Sequence, residues 1–185
     1  MSDAIYYTAA AIISGHNDRF GKARRAIIKT VSKTLGSGLV EQAIEDSSVF
    51  EIDKSSLARA ELEAVVLCAE TAPAKCTICT FSEYVYSGAT KWIGGWATNG
   101  WRNKKGEEVK NKDLWGRLLS ASSSRKIQWY LDQKATPLDD YSKMVLSMAA
   151  GDHVDLESTP TKESEEPAFV VNEVVREIPM SYGGW

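Results

Sequence analysis

The spacing of apolar residues changes period along this chain in an order that leaves few folds open. Ala4 to Ser14 is a nearly continuous apolar run and fits a buried strand. Gly15-His16-Asn17-Asp18 predicts a turn, and 21–34, with Ala26-Ile27-Ile28 and Val31, fits a second strand. Gly36-Ser37-Gly38 is a hairpin signal, and Leu39 to Glu45 fits a third strand. The period then becomes helical: Leu62, Val65, Val66 and Ala69 follow the capping serines Ser55-Ser56, and Pro73 stops the helix. Cys76 to Phe81 returns to a strand. Helical segments are predicted near 83–89, 91–98 and 111–122, then a strand at 127–131 and a helix at 139–150. This order predicts an α/β fold, a central five-stranded mixed sheet with helices on both faces.

Composition sets bounds on function. The 185 residues suffice for one domain with its own core. The net charge of −3 gives no general basic field, so any nucleic-acid binding must come from a local patch. No apolar run approaches the roughly 20 residues of a membrane helix. Asp3 precedes the first apolar run without a basic region, which makes a poor signal peptide. Three cysteines, an odd number, favour a reducing compartment, and an intracellular location is expected. Cys76 and Cys79 could be read as half a zinc site. On one strand, however, residues three apart face opposite ways, and only Cys68, His16 and His153 remain as further ligands of that kind. His16 and His153 read as a loop and a tail residue. After Gly151 the chain turns acidic and rich in Ser, Thr and Pro, which places a domain over 1–151 and a linker and tail over 152–185.

Several local motifs then point to one family. They are Arg59-Ala60-Glu61-Leu62, Ser82-Glu83-Tyr84-Val85, Lys91-Trp92-Ile93 with Trp96, Asn99-Gly100-Trp101, and Val109-Lys110-Asn111-Lys112-Asp113-Leu114-Trp115. In this order they resemble type 1 ribonuclease H, closest in flavour to fungal members. The resemblance implies the ribonuclease H-like fold and a site where two Mg²⁺ ions, held by carboxylates, cut the RNA strand of an RNA/DNA hybrid.

Most of that site is replaced. The family's first Asp follows Tyr-Thr; here Tyr7-Thr8 is followed by Ala9-Ala10-Ala11. The Glu of the Arg-x-Glu-Leu helix is present as Glu61. The Asp of Thr-Asp-Ser is Phe81, and the final Asp falls among Lys143, Met144 and Val145. Lys134-Ala135-Thr136 stands in place of the mobile His loop. Asp132, Asp139 and Asp140 are the nearest candidates for relocated ligands. The resulting expectation is a catalytically inactive relative, not an enzyme, with no metal or other cofactor.

The resemblance also implies a binding surface, and its two sides differ. The positions that read RNA 2′-hydroxyls are changed, to Leu57, Ala58, Glu83 and Ile12. The DNA side is better kept. Trp92 and Trp96, four residues apart, match the tryptophans of the DNA channel, and Lys54, Ser56 and Asn111 match the phosphate pocket. Lys104 belongs to the surrounding basic group with Lys91, Arg102, Lys105, Lys110 and Lys112, whereas Trp101 and Trp115 read as packing residues. The leading expectation is a protein that binds duplex DNA or RNA/DNA hybrid. The alternative is a scaffold that meets a protein partner through the vacated cleft and the apolar tail residues Phe169, Val171, Val175, Ile178, Tyr182 and Trp185. That tail could equally fold back on its own domain. A nuclease with relocated carboxylates is the third reading.

Overall fold

A computed structural model describes residues 4–17 and 20–156 of the chain. Five strands form one sheet: β1 (Ala4–Asn17), β2 (Phe20–Thr34), β3 (Val40–Ser56), β4 (Lys75–Thr80) and β5 (Lys126–Leu131), in the order β3-β2-β1-β4-β5. The first three strands run antiparallel, and β4 and β5 continue parallel to β1. The mixed sheet expected from the sequence is therefore present.

Two boundaries are corrected. Over residues 15–17 the predicted turn gives way to strand, because β1 runs on to Asn17 and pairs Gly15 with Gly21. The two backbones lie so close there that a Cβ on Gly21 would stand 2.1 Å from the Ser14 carbonyl oxygen. The third strand does not stop near Glu45. It continues to Ser56 by pairing with β2, across register shifts at Lys29/Thr30 and Gly21/Ala23.

Alternate residues of β1 build two cores. On one face Ala4 and Tyr6 join Cys76 and Ile78 under α1 (Leu57–Thr71) and α4 (Lys112–Ser122), which contribute Leu62, Val65, Val66, Trp115 and Leu118. On the other face Ile5, Tyr7 and Ala9 join Ile28 and Cys79 under α5 (Asp140–Ala150), through Tyr141, Val145 and Met148. Val154 and Leu156 pack against that second cluster. Cys76 and Cys79 thus lie on opposite faces, as their spacing predicts, and burial pushes the Cys79 thiol well up. Between β1, β2 and the start of α1, the small side chains of Ala10, Ala23 and Ala60 form a third cluster. Their size lets the helix begin against the sheet, next to Glu61.

The segments predicted at 83–89 and 91–98 are joined rather than separate. α2 (Glu83–Ser87) passes through a π-helical turn, Gly88–Trp92, directly into α3 (Ile93–Thr98). Gly88 opens this turn, and a Cβ there would stand 2.1 Å from Cη2 of Trp115. Glycine is required because the six-membered ring of the Trp115 indole occupies the space where a side chain would begin.

Candidate nucleic-acid interface

The structure links Ser56, just before α1, and Asn111, just before α4, through Arg59, a residue that enters the sequence analysis only as part of a motif. Ser56 is the N-cap of α1, and its Oγ accepts from the backbone N–H of Arg59 at 3.2 Å. The Arg59 side chain donates to Asn111 Oδ1 at 3.4 Å and to both Asp113 oxygens at 3.1 and 2.7 Å. Its Nε lies 3.3 Å from Glu63. Glu63 also pairs with Arg25 of β2, whose guanidinium stands 5.1 Å from the Phe50 ring centroid. Arg59 also holds the Asp113 carboxyl below the usual carboxylate range. The signal that could have found Arg59 is its place three residues after the capping serine. Its reach to Asn111 is long-range and leaves no local trace.

Lys54 and Asn111 share an unusual backbone. They are two of three described non-glycine residues with positive φ, at 55° and 57°. Lys54 sits where Asp53 and Lys54 interrupt the pairing of β3 with β2, between the Gly21–Ser55 and Ala23–Ile52 pairs. Such an irregularity re-aims a side chain beside a site, and Lys54 is exposed. Non-glycine residues in the left-handed region are uncommon, and each of these points to a local constraint beyond packing.

Trp92 and Trp96 do not share one fate. Trp92 is 41% exposed, whereas Trp96 is half-buried against the core. Their rings lie 5.6 Å apart, and Trp96 meets Trp115 edge-on at 5.4 Å. Trp115 is fully buried, as predicted, and donates its indole N–H to Tyr84 Oη at 3.0 Å. An aromatic row thus runs from the surface at Trp92 into the core at Trp115. Beyond α3, an Arg102–Glu108 bridge closes a loop that carries exposed Lys104 and Lys105. Next to it lies an open cleft of about 690 Å³ lined by Trp101, Lys110, Asn111, Lys112, Asp113 and Gly116, among others. Lys112 is paired with Glu108 at 3.3 Å.

Side chains at the replaced positions pack on the α5 side of the sheet. Ala9 is 4% exposed, and Phe81 packs against the same α5-side cluster. Val145 is fully buried, while Lys143 pairs with Asp140 at 2.7 Å. Glu61 accepts from the Ser82 hydroxyl at 2.6 Å. Burial lifts its carboxyl above the usual range, opposed by the Ser82 hydrogen bond and by Lys134. The three candidate replacements are engaged elsewhere. Asp132 accepts from the backbone of Gln133 and Leu138, which folds the 132–138 loop. Asp139 caps α5 and accepts from Tyr7 Oη at 2.8 Å. Asp140 holds Lys143. Among the described residues no three His, Cys, Asp or Glu side chains are grouped to hold a metal ion. This donor set does not fit the two-cation site that the resemblance implies.

The raised Glu61 carboxyl has a measurable consequence. Its charged form is penalised on folding, so stability falls as pH rises from the ordinary carboxylate value through the higher folded value. Gln at this position keeps an acceptor for Ser82 and removes the penalty. Glu61→Gln is therefore expected to gain stability relative to wild type with rising pH, and to level off above the folded value. Denaturant midpoints of both proteins across about pH 4 to 8 check this; a constant gap would refute it.

The RNase H family model matches residues 13–131, and the chain belongs to the RNase H family. Among curated relatives, it is 45% identical over 73 residues to Ribonuclease H of Granulibacter bethesdensis, covering 38% of this chain and 49% of that protein. It is 38% identical over 89 residues to Ribonuclease H of Pelobacter propionicus, covering 48% and 53% respectively. The chain thus spans about half the length of the curated relatives it matches. Among solved structures, the PFV RNase H domain aligns with a TM-score of 0.64 at 20% identity, over 81% of this chain and 90% of that one. The foamy viral protease-reverse transcriptase in complex with dsDNA aligns at 0.65 and 18% identity, over 81% and 95%. These likenesses establish the ribonuclease H-like fold.

The comparisons also correct the expectation that the chain is not an enzyme. Relatives matching at 38% to 47% identity bear the name of a nuclease. The replaced carboxylates describe the ligands available at those positions and do not outweigh that likeness. No described helix is long and apolar enough to cross a membrane. The tail residues Phe169, Val171, Val175, Ile178, Tyr182 and Trp185 lie outside the described residues.

Proposed function

We propose that this chain is a ribonuclease H-type protein that engages RNA/DNA hybrid or duplex DNA along one face. That face runs from Trp92 and Trp96, past Lys104, to the pocket of Lys54, Ser56 and Asn111. The observation that carries the reading is the junction of Ser56 and Asn111 through Arg59 beside an exposed Lys54. A hydroxyl, an amide and an ammonium are donors that suit a phosphate oxygen. Support also comes from foamy viral protease-reverse transcriptase structures, aligned in fold with this chain, that hold RNA/DNA hybrid or dsDNA. The name of the curated relatives makes nuclease action the activity to test alongside binding.

Fluorescence anisotropy of a labelled hybrid at low salt with Mg²⁺, with duplex DNA as competitor, tests the reading. Trp92→Ala is the informative variant, because Trp92 is exposed whereas Trp96 supports the core. Loss of one aromatic contact is expected to cost about 1–3 kcal/mol, roughly five- to 150-fold in affinity. The same samples run on a gel score shortened RNA. Absence of binding at low salt, or an unchanged Trp92→Ala variant, would overturn the proposed face.

A further inference from the structure

We infer that Arg59 is the positioning residue of the phosphate pocket, and that it works by occupying the acceptors of Ser56 and Asn111 so that both present donors to a nucleic-acid phosphate. The inference rests on the binding reading above and gives its pocket a mechanism.

A serine hydroxyl both donates and accepts, and an asparagine amide carries an acceptor oxygen and a donor nitrogen. Neither is committed to binding an anion until something uses up its acceptor. At Ser56 the backbone N–H of Arg59 does this, which leaves the hydroxyl proton to be donated outward. At Asn111 the guanidinium does it. Arg has donors only, so the atom facing it at 3.4 Å must be Oδ1, and this orientation turns Nδ2 away from Arg59.

A second observation supports the assignment. Asparagine at an N-cap ordinarily spends its side-chain oxygen on its own helix. Asn111 precedes α4 in a left-handed conformation and makes no such side-chain cap. The oxygen that would have capped α4 is given to Arg59 instead. Arg59 can perform this fixed task because its own geometry is over-determined. Asp113 takes it in a two-pronged pair and Glu63 holds Nε. With its charge matched by two carboxylates, Arg59 is a poor direct ligand for phosphate and a good fixture for its neighbours.

The test separates this role from a merely structural one. Arg59→Met removes the guanidinium and keeps the backbone N–H at Ser56. Hybrid affinity is expected to fall about tenfold, with thermal unfolding recorded to confirm a folded variant. The discriminating measurement is a cycle with Asn111→Ala. If Arg59 acts through Asn111, Arg59→Met on the Asn111→Ala background costs less than about twofold. In ¹⁵N spectra, the Asn111 side-chain amide should shift on titration with hybrid in wild type and not in Arg59→Met. Additive losses in the cycle, or an Asn111 amide response that survives Arg59→Met, would overturn the inference and leave the binding reading intact. Wild-type protein that fails to bind hybrid would overturn the binding reading, and this inference with it.

Discussion

Replacing Trp115 with alanine is expected to cost about 3–5 kcal/mol, a large part of the 5–15 kcal/mol that typically separates folded from unfolded protein. Trp115 is fully buried and joins three elements. Its ring meets Tyr84 of α2 edge-on at 5.5 Å and Trp96 of α3 at 5.4 Å, and its N–H donates to Tyr84 Oη. It also fills the space against Gly88 that no other residue type could share. Removing the indole leaves a cavity under the π-turn and takes from Tyr84 Oη its N–H donor, leaving only its own donation to the Lys110 carbonyl at 3.4 Å. The packing partner of Trp96, and through it the base of exposed Trp92, goes with it. Chemical denaturation with an unchanged m-value would register the loss as a lower midpoint. A second comparison isolates the cause. Gly88→Ala should be destabilising alone, where its Cβ collides with the ring, and close to neutral on the Trp115→Ala background. A cost below about 1 kcal/mol for Trp115→Ala would show that the continuous α2–α3 segment does not depend on this contact.

That contact also marks where the sequence stopped being readable. The start of α1 was legible because a serine cap is a local device, written within three residues of the bond it makes. The strand order was legible because apolar alternation and turn residues are local as well. The π-turn was not, since it follows from an indole that arrives from 27 positions away in the chain. The second half of β3 was missed for a related reason. Residues 46–54 are rich in acids and serines, and they become strand because β2 offers a paired edge, overriding their own preference. At the candidate site, Lys54, Ser56 and Asn111 were found by their places in the family pattern. Arg59, which joins two of them, was visible only as a motif letter until the fold brought α4 beside α1. Trp92 and Trp96 had equal standing in the sequence, and only the core behind Trp96 distinguishes them.

The second large effect concerns salt. The whole chain carries a net charge of −3, so attraction to a polyanion has to be local. The basic residues along the proposed face fall into two groups. Arg59 is paired with Asp113 and Glu63, Lys112 with Glu108, and Arg102 donates to the Gly106 carbonyl. Lys54, Lys91, Lys104, Lys105 and Lys110 are exposed and form no ion pair among the described residues. Only this second group can meet a phosphate and release counterions without first breaking an ion pair or a hydrogen bond. With about five such contacts, log affinity should fall against log salt with a slope near −4.5, or about 500-fold between roughly 50 and 200 mM. Lys91→Gln or Lys104→Gln should each reduce the slope by about one, whereas Lys112→Gln should change it less because Glu108 already neutralises that charge. Trp92→Ala should lower affinity at every salt concentration and leave the slope unchanged, since stacking releases no ions. Anisotropy titrations at four or more salt concentrations give all of these slopes. A flat dependence in wild type would mean that the lysines lie off the binding path, and that the face runs elsewhere.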